Sequence, residues 1–298
     1  MTRMNALAAL AGLALGSAAM AQNTGVFLTD GDAVFRFGST TTTVLFPTVA
    51  TSSSRVSIDN RINGGVTGTD HGFDMQWYAG VSGRAREFNM TGFTSRSVIG
   101  TNEVAYSFSN AFGISGLSAV VSARLTDNAF GPNTSSTMMS LTLTNNTASV
   151  ISNLDIFYSI DNDIGVTAGG DSFAPLAFDN GHRVLVQSDL AAAGGPFHSA
   201  VYGYNADASG AGSFSALNTQ LTDTGPDFTT LADLNAAGNS AGGDYAQMMQ
   251  WRRSLQVGQS LTFRADVVAS IGAAAVIPAP GALAVLGMGG ILLGRRRR

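Results

Sequence analysis

Along much of the chain, hydrophobic and polar residues alternate one by one, the period of a strand whose two faces meet different surroundings. In residues 117–125, Leu117, Ala119, Val121, Ala123 and Leu125 share one face, while Ser118, Ser122 and Arg124 share the other with Val120 as the exception. Met139, Leu141 and Leu143 alternate with Ser140, Thr142 and Thr144, and Asn145-Asn146-Thr147 then marks a turn. Leu154, Ile156, Tyr158 and Ile160 alternate with Asp155, Phe157, Ser159 and Asp161. Leu261, Phe263, Ala265, Val267 and Ala269 oppose Ser260, Thr262, Arg264 and Asp266. Weaker strand patterns lie at 33–37, 42–46, 55–62, 73–78, 103–108, 183–187 and 200–204. Clusters of Gly, Asn, Asp and Ser separate them, as turns require.

This series of short strands predicts an all-β fold, two packed antiparallel sheets in a sandwich or jelly-roll-like arrangement. Helical signal is confined to 230–237, where Leu231 and Leu234 are three apart and Gly238 follows; 244–251 reads as a turn or a strand. No sustained repeat and no Pro-rich linker divides the middle, so 22–276 is expected to be one domain.

Composition agrees: of 298 residues, 45% are hydrophobic and only 12% charged, with 36 Gly. That hydrophobic share excludes a disordered chain. The absence of Cys excludes disulfides, thiolate metal sites and thiol nucleophiles. Every basic residue is Arg. Five of the 16, Arg3 and Arg295 to Arg298, lie in the two ends, which hold none of the 20 acids; the middle therefore has 11 Arg against 20 acids, a net charge of −9. An acidic middle repels phosphate backbones, so nucleic acid is not an expected partner.

The two ends break the alternating pattern. Arg3 precedes an apolar run from Ala6 to Leu15, and Ala19-Met20-Ala21 supplies the A-x-A pattern accepted by signal peptidase. Residues 1–21 are thus expected to be a signal-peptide helix, with Gln22 first after cleavage. At 277–298, Pro278-Ala279-Pro280 interrupts any preceding strand, an uncharged segment runs through Gly281, Leu286, Gly290 and Leu293 to Gly294, and Arg295, Arg296, Arg297 and Arg298 close the sequence. The apolar segment is shorter than the about 20 residues of a permanent span. The Arg block is expected to stay cytoplasmic and stop the segment, leaving a short membrane helix with the middle exported.

This tail resembles the PEP-CTERM sorting signal of bacterial exported proteins, in which a Pro-Glu-Pro-like motif precedes a short membrane segment and an Arg-rich end. Here Pro278-Ala279-Pro280 occupies the motif, with Ala279 in the glutamate position. The resemblance implies processing by a membrane enzyme, exosortase, after transient anchoring in the inner membrane. It implies a final address at the cell envelope, cell surface or extracellular space. The run 140–165 and the closing 258–263 are similar in style to β-sandwich ectodomains found ahead of such tails. A non-catalytic structural or matrix role linked to extracellular polysaccharide or biofilm follows as the expectation.

Candidate chemistry is sparse. There is no G-x-S-x-G elbow, H-E-x-x-H pair or phosphate-binding P-loop. His71, His182 and His198 are far apart in sequence, and the two Glu, Glu87 and Glu103, would have to meet across strands to serve as a glycosidase pair. A hydrolase would need two carboxylates in a cleft or a Ser-His pair within hydrogen-bond reach. Asp161 and Asp163, with Asp171 just beyond, offer the oxygens that a structural calcium takes, although Gly165 and Ser172 at the later ligand positions exclude an EF-hand. The same acids suit a solvated turn. Asp70, His71 and Asp74 form a second such cluster. Trp77, Tyr78, Tyr202, Tyr204 and Trp251 could build a stacking platform for sugars, or simply fill the core.

Overall fold

The computed structural model describes residues 26–31, 33–37, 57–60, 69–72, 74–81, 85–87, 93–162, 164, 171–179, 182–190, 196–213, 240–243 and 245–272. The expected signal peptide with Ala19, Ala21 and Gln22, the tail from Pro278 to Arg298, the strand at 42–46 and the helix at 230–237 lie outside these described residues.

The alternating segments form strands, and they pair antiparallel into three sheets. In chain order these are β1 (Val26–Asp30), β2 (Ala33–Phe37), β3 (Ser57–Asn60), β4 (Thr69–Gly72), β5 (Asp74–Val81) and β6 (Ala85–Glu87). Then come β7 (Ser95–Ile99), β8 (Glu103–Phe108), β9 (Leu117–Asp127), β10 (Thr134–Asn145), β11 (Ile151–Asn162) and β12 (Asp171–Asp179). The last are β13 (His182–Asp189), β14 (Phe197–Tyr204), β15 (Ala208–Ser213), β16 (Ser240–Gly243), β17 (Tyr245–Leu255) and β18 (Ser260–Ile271). A nine-stranded sheet runs β16-β12-β13-β14-β18-β10-β9-β8-β7, and a five-stranded sheet runs β15-β17-β11-β5-β6. Their inner faces meet to make an all-β antiparallel two-sheet sandwich. The four-stranded sheet β1-β2-β3-β4 completes the smaller layer, with β1 and β2 against β9 and with β4 against β11 and β14. The segment that read as a turn or a strand at 244–251 is β17.

One core joins all three sheets. Leu117, Val121, Leu125, Leu141, Leu143 and Phe263 from the large sheet meet Ile156, Tyr158, Met249 and Trp251 from the five-stranded one, and Leu28 and Phe35 from the small one. Trp77 packs at a tilt against both Tyr158 and Trp251, at centroid distances of 4.8 and 5.8 Å. Register is fixed because a one-residue slip would move every core side chain to the other face. On the outer face of β9, β10 and β18, hydroxyls pair across strands: Ser122 with Ser140 at 2.6 Å, Thr142 with Thr262 at 2.8 Å and Thr144 with Ser260 at 2.7 Å.

Two local devices hold the layers. Asn145 is fully buried at the end of β10, where its amide nitrogen donates to the carbonyls of Ser149 and Leu255 and its oxygen accepts from Thr147. The β11–β17 register shifts between Ile151 and Leu154, and Asn153 absorbs the bulge at φ 53°, a left-handed conformation that Asn tolerates. Close approach is needed at Gly203, where an added Cβ would lie 2.9 Å from the Cβ of Ala206 and 2.8 Å from the sulfur of Met249.

The core is not apolar throughout. At one end, register places Ser135, Ala269, Ser199 and Gln187 in a single row across the inner face of the large sheet. Asn162 crosses from the five-stranded sheet, donating to Gln187 Oε1 at 3.0 Å and accepting from Ser199 Oγ at 2.9 Å. All four polar members of this layer are buried.

Alternation in β11 suggested one wet face, yet Asp155, Phe157 and Asp161 on that face are buried as well. Asp155 is matched by Arg252, whose Nε and Nη2 reach its two oxygens at 2.7 and 3.0 Å, and by Gln250. A buried carboxylate on this outer face is tolerated because bidentate hydrogen bonds replace its hydration.

Candidate functional site

The outer face of β13, β14 and β18 gathers titratable side chains at both ends of an apolar centre. Because successive side chains point to opposite faces, Val184 and Val186 of β13, Ala200 and Tyr202 of β14 and Val268 of β18 form a second, outward cluster, with Phe130 and Tyr204 packed against it. Antiparallel pairing of β13 with β14 then sets His182 opposite Tyr204 at one end and Ser188 opposite His198 at the other.

At the first end, Asp266 is the hub. Its Oδ2 accepts from the Tyr204 hydroxyl at 2.8 Å and from Arg264 Nη2 at 2.8 Å, and its Oδ1 accepts from Arg264 Nε at 3.1 Å. The Arg264 guanidinium lies 4.3 Å from the centre of the Tyr204 ring, and the His182 ring packs 4.5 Å from the same ring. Burial, and then the negative charge of Asp266, push the Tyr204 phenol well above its ordinary range, so it remains a hydrogen-bond donor at neutral pH. The carbonyl of Tyr204 accepts from Trp251 Nε1 at 2.8 Å, which ties this end to the core.

At the second end, Ser188 Oγ lies 2.6 Å from His198 Nδ1, and His198 Nε2 lies 3.1 Å from the carbonyl oxygen of Gly272. A carbonyl only accepts, so Nε2 carries the ring proton. In the neutral imidazole Nδ1 is therefore bare and accepts the Ser188 hydroxyl proton. His198 is buried and Ser188 half-buried. Ser270 is the cross-strand neighbour of His198 on its other side.

The residues singled out from sequence distribute differently. Asp161 ends up buried on β11 and Asp171 opens β12, while Asp163 lies outside the described residues. Among the described residues no three His, Asp or Glu side chains gather to hold a metal ion. Glu87 belongs to the five-stranded sheet and Glu103 to the nine-stranded one. His71 sits on β4, and His182 and His198 share one face but occupy its opposite ends. The sugar-stacking platform is not assembled from its candidates: Trp77, Tyr78, Tyr202 and Trp251 are all at most 5% exposed, with Trp77 and Trp251 inside the shared core and Tyr202 in the outward apolar cluster. Among the described residues no helix is long and apolar enough to cross a membrane.

Sequence reasoning passed over Ser188. A signal was present: two apolar stretches flank the Gly194-Gly195-Pro196 break, and a hairpin between them pairs residues whose numbers have a constant sum. Ser188 and His198 satisfy that sum, as do His182 and Tyr204.

No family model matches the chain, and no curated protein matches it. Among solved structures it is similar to a bacterial glucoamylase complexed with acarbose, at TM-score 0.48 and 10% identity over 85% of this chain and 32% of that one. It is similar to a galactose mutarotase related enzyme from Lactobacillus acidophilus, at TM-score 0.39 and 7% identity over 85% of this chain and 100% of that one. A GH36 α-galactosidase from Geobacillus stearothermophilus in complex with raffinose aligns at TM-score 0.34 and 12% identity, over 84% of this chain and 41% of that one. The chain thus spans about a third of the glucoamylase's length.

Proposed function

We propose that this chain is an exported bacterial envelope protein whose β-sandwich serves a structural or matrix role, associated with extracellular polysaccharide or biofilm and needing no catalytic turnover. In this reading signal peptidase cleaves after Ala21, and the segment 281–294 holds the protein transiently in the inner membrane. An exosortase-like enzyme then processes the tail near Pro278-Ala279-Pro280. The observation that carries the reading is the order Pro-x-Pro, short apolar segment and terminal Arg block behind an A-x-A leader and an acidic, Cys-free middle. The large shared core supports it, since a sandwich without disulfides must stand on apolar burial alone. The buried carboxylates Asp155 and Asp266 are each neutralised by an arginine, which fits scaffolding better than acid–base work. A carbohydrate-binding module is the second reading, and the burial of Trp77 and Trp251 weakens it.

Deleting residues 278–298 and fractionating the cells tests the sorting step. The truncated protein should leave the envelope fraction and accumulate in the periplasm or medium. Retention of the truncated protein in the envelope would sink the proposal.

A further inference from the structure

We propose that Ser188 is an activated nucleophile that accepts acyl groups from esters, with His198 as its general base. This goes beyond the envelope-sorting reading, and neither rests on the other. A serine facing a histidine across two strands can be a mere polar pair, but three features separate this one. The 2.6 Å contact is to Nδ1, and the Gly272 carbonyl accepts a hydrogen bond from Nε2–H, so the only tautomer that satisfies both contacts leaves Nδ1 ready to receive the serine proton. The base is sheltered at 8% exposure while the nucleophile is half-buried, so an ester can reach Oγ without water solvating the imidazole. Ser188 also stands at the rim of the sheet, next to the end of β13 and two residues from Leu190, which is 65% exposed. A nucleophile, a base within hydrogen-bond reach and a third group that orients the base form the constellation that activates serine.

The third group sets the outcome. A backbone carbonyl fixes the tautomer as a carboxylate does, but it lacks the negative charge that stabilises the imidazolium formed during attack. The expected chemistry is therefore slow and stoichiometric. Ser188 Oγ bonds to the ester carbonyl carbon as its proton moves to His198 Nδ1. The ester C–O bond breaks, and the departing alcohol takes that proton from Nδ1. The products are acyl-Ser188 and the free alcohol, with no further reactant needed.

The test uses the full chain purified after export, with p-nitrophenyl acetate as probe, read by intact mass and peptide mapping. One acetyl group should appear on the peptide containing Ser188, with nitrophenol release stopping after one equivalent. Ser188→Ala should abolish it, and His198→Gln should slow it about 100-fold, the usual contribution of a general base. Ser140→Ala, on the same sheet face but paired with Ser122, should leave it unchanged. Should His198→Gln fail to fold, acetylation of the unaltered protein in heavy water serves instead, and it should be slower because a proton moves in the rate-limiting step. Absence of acetyl at Ser188, or a rate indifferent to both His198 and heavy water, overturns the proposal. Release continuing beyond one equivalent, with the same dependence on Ser188, upholds the nucleophile and overturns the non-catalytic reading instead.

Discussion

The two halves of the nine-stranded sheet obey the same alternation with opposite consequences. In β9 and in the 139–144 stretch of β10, one face is apolar and buried and the other carries hydroxyls and arginine; Val121 is 1% exposed while its neighbour Val120 is 39% exposed. In β13 and β14 both faces are covered. Val184 and Val186 are buried outward, Leu185 is buried inward, and the polar Gln187 and Ser199 sit inside the sandwich. The first half is a half-wet sheet, as a strand pattern with period two describes it. The second is closer to an interior slab, and it is there that the Ser188–His198 and Tyr204–Asp266–Arg264 groups assemble. Polar side chains taken out of water keep fixed partners, and fixed partners are what chemistry requires.

That contrast can be broken most directly by truncating adjacent residues. Leu185→Ala and Val186→Ala, on opposite faces of β13, should both destabilise the protein, by about 2–4 and about 1–3 kcal/mol. In β9, Val121→Ala should cost about 1–3 kcal/mol and Val120→Ala no more than about 0.5 kcal/mol. Urea unfolding midpoints measure all four. Equal tolerance at Val186 and Val120 would show that the outer face of β13 is no more buried than that of β9.

The polar layer offers a smaller test. Asn162→Leu removes the contacts to Gln187 Oε1 and Ser199 Oγ inside the core and should cost about 1–3 kcal/mol. Replacing all three by Leu, Leu and Ala should recover much of that loss, because both partners of each of these two hydrogen bonds are then gone. If the single variant is as stable as the parent, the layer contributes nothing to holding the sheets together.

The smallest effect is in alkali. Burial raises the Tyr106 phenol from 10.0 to about 12 despite the opposing influence of Arg96. The folded state then holds this proton more tightly than the unfolded state does. Its contribution is complete below pH 10 and is lost as pH rises towards 12, by at most about 1.4 kcal/mol per pH unit. Burial and Asp266 act in the same direction on Tyr204. Thermal melts between pH 9 and 12 should fall less steeply for Tyr106→Phe than for the parent, and an unchanged slope would remove Tyr106 from the account.

Legibility followed the same division. The strands at 33–37 and 103–108 coincide with β2 and β8, and the core faces of β9, β10, β11 and β18 are those their alternation indicated. β8 and β9 have one face against the core and the other open to water, and that difference writes the period into their residues. β12, β15, β16 and most of β17 left weaker traces. Gly and Ala in β15 and β16 carry no hydrophobic signal, and the stretch YAQMMQW is buried on both sides, which erases alternation.

By itself, the sequence determined an all-β antiparallel chain, a Cys-free core that must stand on apolar burial, and the order of Pro-x-Pro, apolar segment and Arg block on which the envelope proposal rests. These are properties of composition, period and local order, which need no knowledge of what lies opposite. Only the tertiary structure decided that Trp77 and Trp251 fill the core rather than face a sugar, that Asp155 and Asp266 are consumed by arginines, and that Ser188 meets His198. Each of those depends on strand register and on which layer covers a face. Register brings together residues separated by ten positions or by a hundred with the same 4.8 Å strand spacing, so sequence distance carries no information about it.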